Sequence, residues 1–232
     1  MDLILEGIKK AFYLLITLDP EVMGITLLSL QVSGTATLIS LVIGISVGTI
    51  VALSEFSGRR IVVSVINTGM GLPPVVVGLF VTIFLWRSGP LGFLGVLYTP
   101  TAMIIAQAII ASPIVMGISL AAVQALPKNL RLQILALGAT RFQMVWILIK
   151  EAKLPLLAGV MAGFGGVISE VGASIMVGGN IKEYSRVLTT ATVLETSRGN
   201  FELAIALSII LLLMAYFINL VLTQIQQRER PR

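Results

Sequence analysis

Few residue types in this chain could support chemistry, and the most conspicuous single residue is Glu170. The sequence contains no His and no Cys, which removes thiol catalysis, disulfides, histidine bases and the usual zinc and haem sites. Glu170 is the only ionisable group in the stretch LPLLAGVMAGFGGVISEVGASIMVGGNI, which starts at Leu154. Within a bilayer a carboxylate is destabilised by several kcal/mol unless it is paired, protonated or hydrated. Two interpretations follow. Glu170 is a structural residue that lies near the interface or bonds to a neighbouring helix, or it lines a pathway or gate with Ser169 and Ser174.

Two adjacent prolines form a second candidate site, within the apolar segment 61–86. Pro73 and Pro74 follow Gly71-Leu72, and prolines interrupt the helical hydrogen bonding. Broken membrane helices often mark translocation sites. We therefore assign both prolines to a pathway or gate, with a simple kink as the structural alternative.

The charged stretch 127–153 lies between two apolar segments and is a candidate docking surface for a soluble partner. Pro127 ends the preceding apolar segment, and Asn129 is a candidate N-cap for a short helix over 130–137. Gly138 suits a helix C-cap or a tight turn.

A second short helix is expected over 141–153, with Phe142, Val145, Trp146 and Ile149 on one face. Two short helices around a glycine make a compact knob that can fit a cleft on a partner. An amphipathic linker lying on the membrane surface is the alternative that the spacing leaves open.

These residues are expected to be positioned by membrane helices. The chain has 232 residues, of which 56% are hydrophobic and 12% charged, whereas soluble domains carry about 25% charged residues. A spanning helix needs about 20 mostly apolar residues, and five such segments are predicted in one membrane domain, 21–232. They are 32–54, 61–86, 102–126, 154–177 and 203–226.

Residues 1–20 are too short and too charged to span, and their apolar residues recur at helical spacing. We expect an interfacial amphipathic helix here, ended by Asp19-Pro20. With the N-terminus outside and the C-terminus in the cytoplasm, ten of the sixteen Lys and Arg residues lie inside, as the positive-inside rule favours. The inner set is Arg59, Arg60, Lys128, Arg131, Arg141, Lys150, Lys153, Arg228, Arg230 and Arg232. The basic residues form no stripe, so topology explains the net charge of +5 better than nucleic-acid binding.

The outer segment 178–200 is long for a connection between spans and carries Lys182, Arg186 and Arg198. A solvated hairpin is the simplest interpretation. Positive charge at an outer mouth would favour the entry of anions.

Nearly the whole chain, from about Ser29, resembles the permeases of ABC importers, most closely those of the molybdate/tungstate group. The resemblance rests on Gly-Leu-Pro-Pro at 71–74, Leu-Gly-Ala-Thr at 137–140, Ser-Glu-Val-Gly at 169–172 and Val-Gly-Gly-Asn-Ile at 177–181. The usual Glu-Ala-Ala of the family's cytoplasmic loop is replaced by Leu132, Gln133 and Ile134. Gly-Leu-Pro-Pro followed by Ser-Gly-Pro-Leu-Gly at 88–92 looks most like the tungstate permeases.

The resemblance implies an all-α, type I importer-like membrane protein of about five spans that works as a homodimer in the cell membrane. It implies two ATPase subunits that bind ATP and Mg²⁺, an extracytoplasmic binding protein, and no cofactor or metal in this chain. The residues expected to contact the ATPase are Gly138, Ala139, Thr140, Arg141 and Phe142. The segment with Lys182, Arg186 and Arg198 is expected to meet the binding protein.

The implied solute is a tetrahedral oxyanion, tungstate ahead of molybdate. Another solute such as sulfate, or a secondary transporter or channel, is the alternative. A transporter without an ATPase would usually have more spans, an inverted repeat or several intramembrane charges. A membrane enzyme would need a catalytic constellation that the sequence does not offer.

Overall fold

The computed structural model describes residues 2–228, and the regular structure in that range is helical throughout. The first helices are α1 Asp2–Ile16, α2 Pro20–Leu53, α3 Arg59–Met70, α4 Pro74–Leu85 and α5 Pro100–Gln124. They are followed by α6 Lys128–Ala136, α7 Arg141–Glu151, α8 Lys153–Ile168, α9 Gly172–Gly178, α10 Leu188–Ser197 and α11 Phe201–Arg228. Arg230 and Arg232, which entered the orientation prediction, lie outside the described residues.

Helices α2 and α5 form the centre of the molecule. Small residues let the two backbones approach closely: a Cβ built on Gly48 would lie 2.6 Å from the carbonyl oxygen of Met116. The hydroxyl of Ser40 donates to the carbonyl of Ala108 on the facing helix at 3.2 Å. Val32 of α2 belongs to a buried apolar cluster with residues of α5 and is fully shielded.

Three helices, α2, α5 and α11, are long and apolar enough to cross a membrane within residues 2–227. Two bent pairs raise the number to as many as five: α3 and α4 meet at 102°, and α8 and α9 meet at 59°. The prediction of about five membrane helices is confirmed, but the segments 61–86 and 154–177 are broken rather than continuous.

The two breaks differ in the residues that accompany them. Pro73 and Pro74 remove backbone donors between α3 and α4, and Pro74 occupies the first turn of α4, where a missing N–H costs nothing. The second break, at 169–171, contains no proline. There the Ser169 hydroxyl donates to the carbonyl of Gly165 at 2.8 Å, and Glu170 caps α9. Composition alone therefore predicted the first interruption and missed the second.

At the end of the molecule where α2 begins, α1 packs against α11, and Lys10 pairs with Glu202 at 3.6 Å. The predicted helix near the N-terminus is present, and Asp19 accepts a hydrogen bond from the N–H of Val22 as the N-cap of α2. The expectation of a solvated hairpin over 178–200 is wrong. Residues 188–197 form α10, whose Thr190 and Ala191 are buried against the rest of the chain.

Candidate functional sites

The segment between α5 and α8, which we call the α6–α7 loop, folds as two short helices around a turn at Gly138. This glycine has φ +86°, a left-handed conformation that other residues adopt at a cost. Helix α7 then starts with a capping box: the N–H of Gln143 donates to Thr140 Oγ1 at 3.3 Å, and the Thr140 N–H donates to Gln143 Oε1 at 2.8 Å. The predicted turn is confirmed. The predicted N-cap is wrong, because α6 starts at Lys128 and Asn129 is already helical.

The base of this loop is fixed to the long helices. Ile134, Met144 and Leu148 form a buried cluster against Leu53 and Leu126, at the ends of α2 and α5. The guanidinium of Arg131 donates to the carbonyl of Leu53 at 3.1 Å. Side chains from the ends of α2 and α5 therefore share one small core with the loop.

The tip of the loop leaves large apolar side chains in solvent. Leu137 is 88% exposed, Phe142 81% and Trp146 65%. Together with Gly138 and Ala139 they line a shallow depression of about 460 Å³. Exposed apolar surface of this kind is typical of an interaction site. Of the four residues predicted on one face of the second helix, Phe142 and Trp146 are exposed, while Val145 and Ile149 are partly buried.

The second candidate site is formed where the two broken helix pairs meet. Helix α4 packs against α9: a Cβ built on Gly78 would lie 2.8 Å from the Cα of Ala173. A Cβ built on Gly172 would lie 2.8 Å from Val75 Cγ2. Val75 directly follows Pro74. The break between α3 and α4 therefore packs directly against the break between α8 and α9, which contains Glu170.

Glu170 is buried in this region, with 9% of its surface exposed. Its Oε1 accepts a hydrogen bond from the N–H of Ala173 at 2.9 Å, which caps α9. Its backbone carbonyl accepts from the Thr189 hydroxyl of α10 at 3.1 Å. Glu170 thus connects the break to α9 through its side chain and to α10 through its backbone. Ser169, in contrast, is exposed.

Sequence reasoning missed one polar residue at this site, Gln107 of α5. Gln107 is only 2% exposed, and its Nε2 donates to Ser174 Oγ at 3.2 Å. Its Oε1 has no hydrogen-bond partner among residues 2–228. A glutamine within the apolar segment 102–126 was the available signal, because a buried amide needs partners. The pair ties α9 to the central helix α5.

The three cations predicted at the outer mouth are each paired with a carboxylate. Lys182 lies 2.9 Å from Glu21, and Arg186 lies 3.7 Å from the same carboxylate. Arg198 pairs with Glu195 at 3.0 Å. The structure therefore brings Lys182 and Arg186 together and places Arg198 in a separate pair. The local positive charge is smaller than the cations alone imply. Within residues 2–228 no group of three or more His, Cys, Asp or Glu side chains comes together as a metal site.

Comparison with known proteins gives a consistent result. A family model described as "Binding-protein-dependent transport system inner membrane component" matches residues 40–232. The tungstate uptake system permease protein of Peptoclostridium acidaminophilum is 42% identical over 231 residues, covering 98% of this chain and 100% of that protein. The probable anion ABC transporter permease protein of Haloferax volcanii is 41% identical, covering 90% and 92%. The molybdenum transport system permease protein of Escherichia coli strain K12 is 29% identical, covering 87% and 94%.

Among solved structures, one similar chain comes from a bacterial alginate ABC transporter in complex with an alginate pentasaccharide-bound periplasmic protein. The TM-score is 0.78 at 20% identity, and the match covers 96% of this chain and 86% of that chain. At this identity the likeness establishes the fold alone.

Proposed function

This chain belongs to the family of binding-protein-dependent transport system inner membrane components, and we propose that it is the permease subunit of an ATP-driven importer of a tetrahedral oxyanion, tungstate ahead of molybdate. The resemblance to ABC-importer permeases and the type I importer-like fold, both expected from the sequence, are confirmed. The observation that carries the choice of solute is the 42% identity with a tungstate uptake permease over nearly the whole chain. The molybdenum transport permease is more distant at 29%.

In this proposal the α6–α7 loop transmits the work of ATP hydrolysis. Two ATPase subunits, which bind ATP and Mg²⁺, each receive one loop tip in a cleft. The exposed Phe142 and Trp146 supply the apolar contact. The buried cluster of Ile134, Met144 and Leu148 against α2 and α5 then makes the loop and the long helices move as one body.

The gate in this proposal lies at the two breaks. Few hydrogen bonds hold a helix across a break, so a small movement of α5 can change the angle between its two halves. Gln107 of α5 donates a hydrogen bond to Ser174 of α9, so a movement of α5 is passed directly to α9. Glu170 acts as a structural part of the gate rather than as a ligand for the solute, because a carboxylate repels an anion in a low-dielectric site.

The complete importer in this proposal contains two copies of this chain. It lies in the cell membrane with the N-terminus outside and the C-terminus in the cytoplasm. An extracytoplasmic binding protein delivers the solute to the end that carries Lys182, Arg186 and Arg198, and the family description itself names dependence on such a protein. Weak binding within the pathway suits release, since a solute must leave as well as enter.

Uptake into proteoliposomes that contain the reconstituted complex and its binding protein tests the proposal. Uptake should require ATP, and tungstate should compete at lower concentration than molybdate. If sulfate or phosphate competed at the lowest concentration, that anion and not tungstate would be the solute. Uptake without ATP would instead support a secondary transporter or channel.

A further inference from the structure

A cavity of about 660 Å³ lies where the α6–α7 loop joins the long helices. Its walls come from the last turn of α2, the start of α3, the end of α5, and α6. The lining has two halves of different chemistry. One is apolar and includes Leu53 and Leu126, and the other carries the cations Arg59, Lys128 and Arg131 with one carboxylate, Glu55.

The two arginines are held at the same place. Arg59 Nε donates to the carbonyl of Val51 at 3.0 Å, and Arg131 Nη1 donates to the carbonyl of Leu53 at 3.1 Å. Both carbonyls belong to the last turn of α2, whose unpaired acceptors favour a cation. A guanidinium has five N–H donors, so one bond to a carbonyl fixes each side chain and leaves further donors for a ligand.

Lys128 adds a third positive charge from the first turn of α6. It is exposed, and it has no hydrogen-bond or ion-pair partner among residues 2–228. Capping of α2 by the two arginines would explain neither this lysine nor the cavity. Three cations and one carboxylate around a cavity favour an anionic ligand.

We propose that this cavity binds the phosphate headgroup of an anionic phospholipid. Guanidinium and ammonium groups recognise phosphate by charge-assisted hydrogen bonds. The apolar half of the lining suits the glycerol and the first methylenes of an amphiphile, whereas a free inorganic anion would leave it unfilled. The cavity also lies at the ends of α2 and α5, two helices long and apolar enough to span. Basic pockets between membrane helices on the cytoplasmic side bind anionic headgroups, and that side is the one assigned to this loop by the proposed function.

A lipid in this position contacts both α2 and α6. It therefore holds the base of the α6–α7 loop against the membrane helices, and the occupancy of the cavity affects how far the loop can tilt.

The test measures binding of fluorescent phosphatidylglycerol to the full-length chain in detergent, with phosphatidylcholine as the uncharged comparison. Lys128→Gln removes a cation that holds no other side chain, and it should weaken phosphatidylglycerol binding about fivefold. Glu55→Gln removes the carboxylate and should strengthen binding. Arg60→Gln is the matched control, since Arg60 is an exposed cation beside Arg59 that does not line the cavity. Phosphatidylcholine binding should be the same in all four proteins.

Equal phosphatidylglycerol binding by the wild type and Lys128→Gln would overturn the proposal. An equal loss in Arg60→Gln would also overturn it, because the effect would then be general surface charge. Displacement of the lipid by millimolar inorganic phosphate or tungstate would identify a free-oxyanion site instead. The assay needs no ATP, ATPase or binding protein, so its result is separate from failure of the transport proposal.

Discussion

Val75 and Gly172 touch where the two broken helix pairs meet: a Cβ built on Gly172 would lie 2.8 Å from Val75 Cγ2. A methyl group at this position forces the segments apart, and overpacking of this kind costs about 1–3 kcal/mol. We therefore expect Gly172→Ala to lower the melting temperature of the purified protein and to reduce uptake. Thermal unfolding followed by circular dichroism, together with uptake in proteoliposomes, measures the two effects.

Val75→Ala should rescue the defect when it is combined with Gly172→Ala, because it removes the methyl group that clashes. Gly165→Ala serves as the control, since Gly165 lies in the neighbouring helix α8 and a Cβ built on it would meet open space. A Gly172→Ala protein as stable and active as Gly165→Ala would contradict the packing of the two breaks.

The side chain of Glu170 has two separable properties, its charge and its hydrogen bond to Ala173. Glu170→Gln keeps an acceptor for the Ala173 N–H but removes the charge. Charge-assisted hydrogen bonds are about twice as strong as neutral ones. For a bond made in only one state of the gate, a weakening of about 1 kcal/mol shifts the gate equilibrium roughly fivefold. We expect a changed transport rate or basal ATPase activity, with the apparent affinity for the solute unchanged.

Glu170→Ala removes the cap as well and should lower the free energy of unfolding by about 0.5–2 kcal/mol. Chemical denaturation of both variants separates stability from gating. Wild-type transport by Glu170→Gln would leave Glu170 as a helix cap alone.

The α6–α7 loop was well predicted because its signals are local. Gly138 and Thr140 act through their own backbone and nearest neighbours, so the turn and the start of α7 follow from residue types. The break at 169–171 was missed because it depends on tertiary bonds. The Glu170 carbonyl accepts from Thr189, and Ser174 accepts from Gln107 of α5.

The positive charge predicted for the outer mouth was overestimated for a similar reason. Lys182, Arg186 and Arg198 are visible in the sequence, but their carboxylate partners become evident only on folding. Glu21 is far from Lys182 in the chain and lies beside it in space.

Gly138→Val tests the turn between α6 and α7. At φ +86° a β-branched residue is strained, and left-handed backbone costs about 1–2 kcal/mol per non-glycine residue. We expect the variant to insert in the membrane and its partner ATPase to go on hydrolysing ATP, while uptake of the solute falls. ATPase activity and uptake, measured in the same proteoliposomes, give the coupling ratio. Gly138→Asn is the control, because asparagine tolerates this conformation and should retain coupling. An unchanged coupling ratio in Gly138→Val would count against the role of this turn.

The paired cations Lys182 and Arg198 should differ in how much they contribute to stability. Lys182 and its partner Glu21 are about half exposed, so Lys182→Gln should change the free energy of unfolding by at most about 1 kcal/mol. If this side meets the binding protein, the same change should weaken that association, most strongly at low salt. Arg198→Gln removes an ion-pair partner of the largely buried Glu195. Unlike Lys182→Gln, it should therefore lower the melting temperature. If Lys182→Gln bound the binding protein with the wild-type affinity at every salt concentration, Lys182 would not be part of the proposed contact.

The exposed aromatic residues at the loop tip should supply binding energy for the ATPase without supporting the fold of this chain. Phe142 and Trp146 are 81% and 65% exposed, whereas Met144, between them in the sequence, is 4% exposed. Buried aromatic anchors at interfaces contribute about 2 kcal/mol or more each, so Phe142→Ala and Trp146→Ala should each weaken co-purification of the ATPase strongly and leave the melting temperature unchanged.

Met144→Ala is the matched comparison on the same helix. It opens a cavity in the cluster with Ile134 and Leu148, and it should lower the free energy of unfolding by about 2–5 kcal/mol. Co-purification with the ATPase and thermal unfolding, measured on all three variants, distinguish a docking surface from a structural one. Full recovery of the ATPase with the Phe142→Ala/Trp146→Ala double variant would contradict the role of these two side chains as the apolar contact with the ATPase. Loss of stability in that double variant would instead make the two aromatic residues part of the fold.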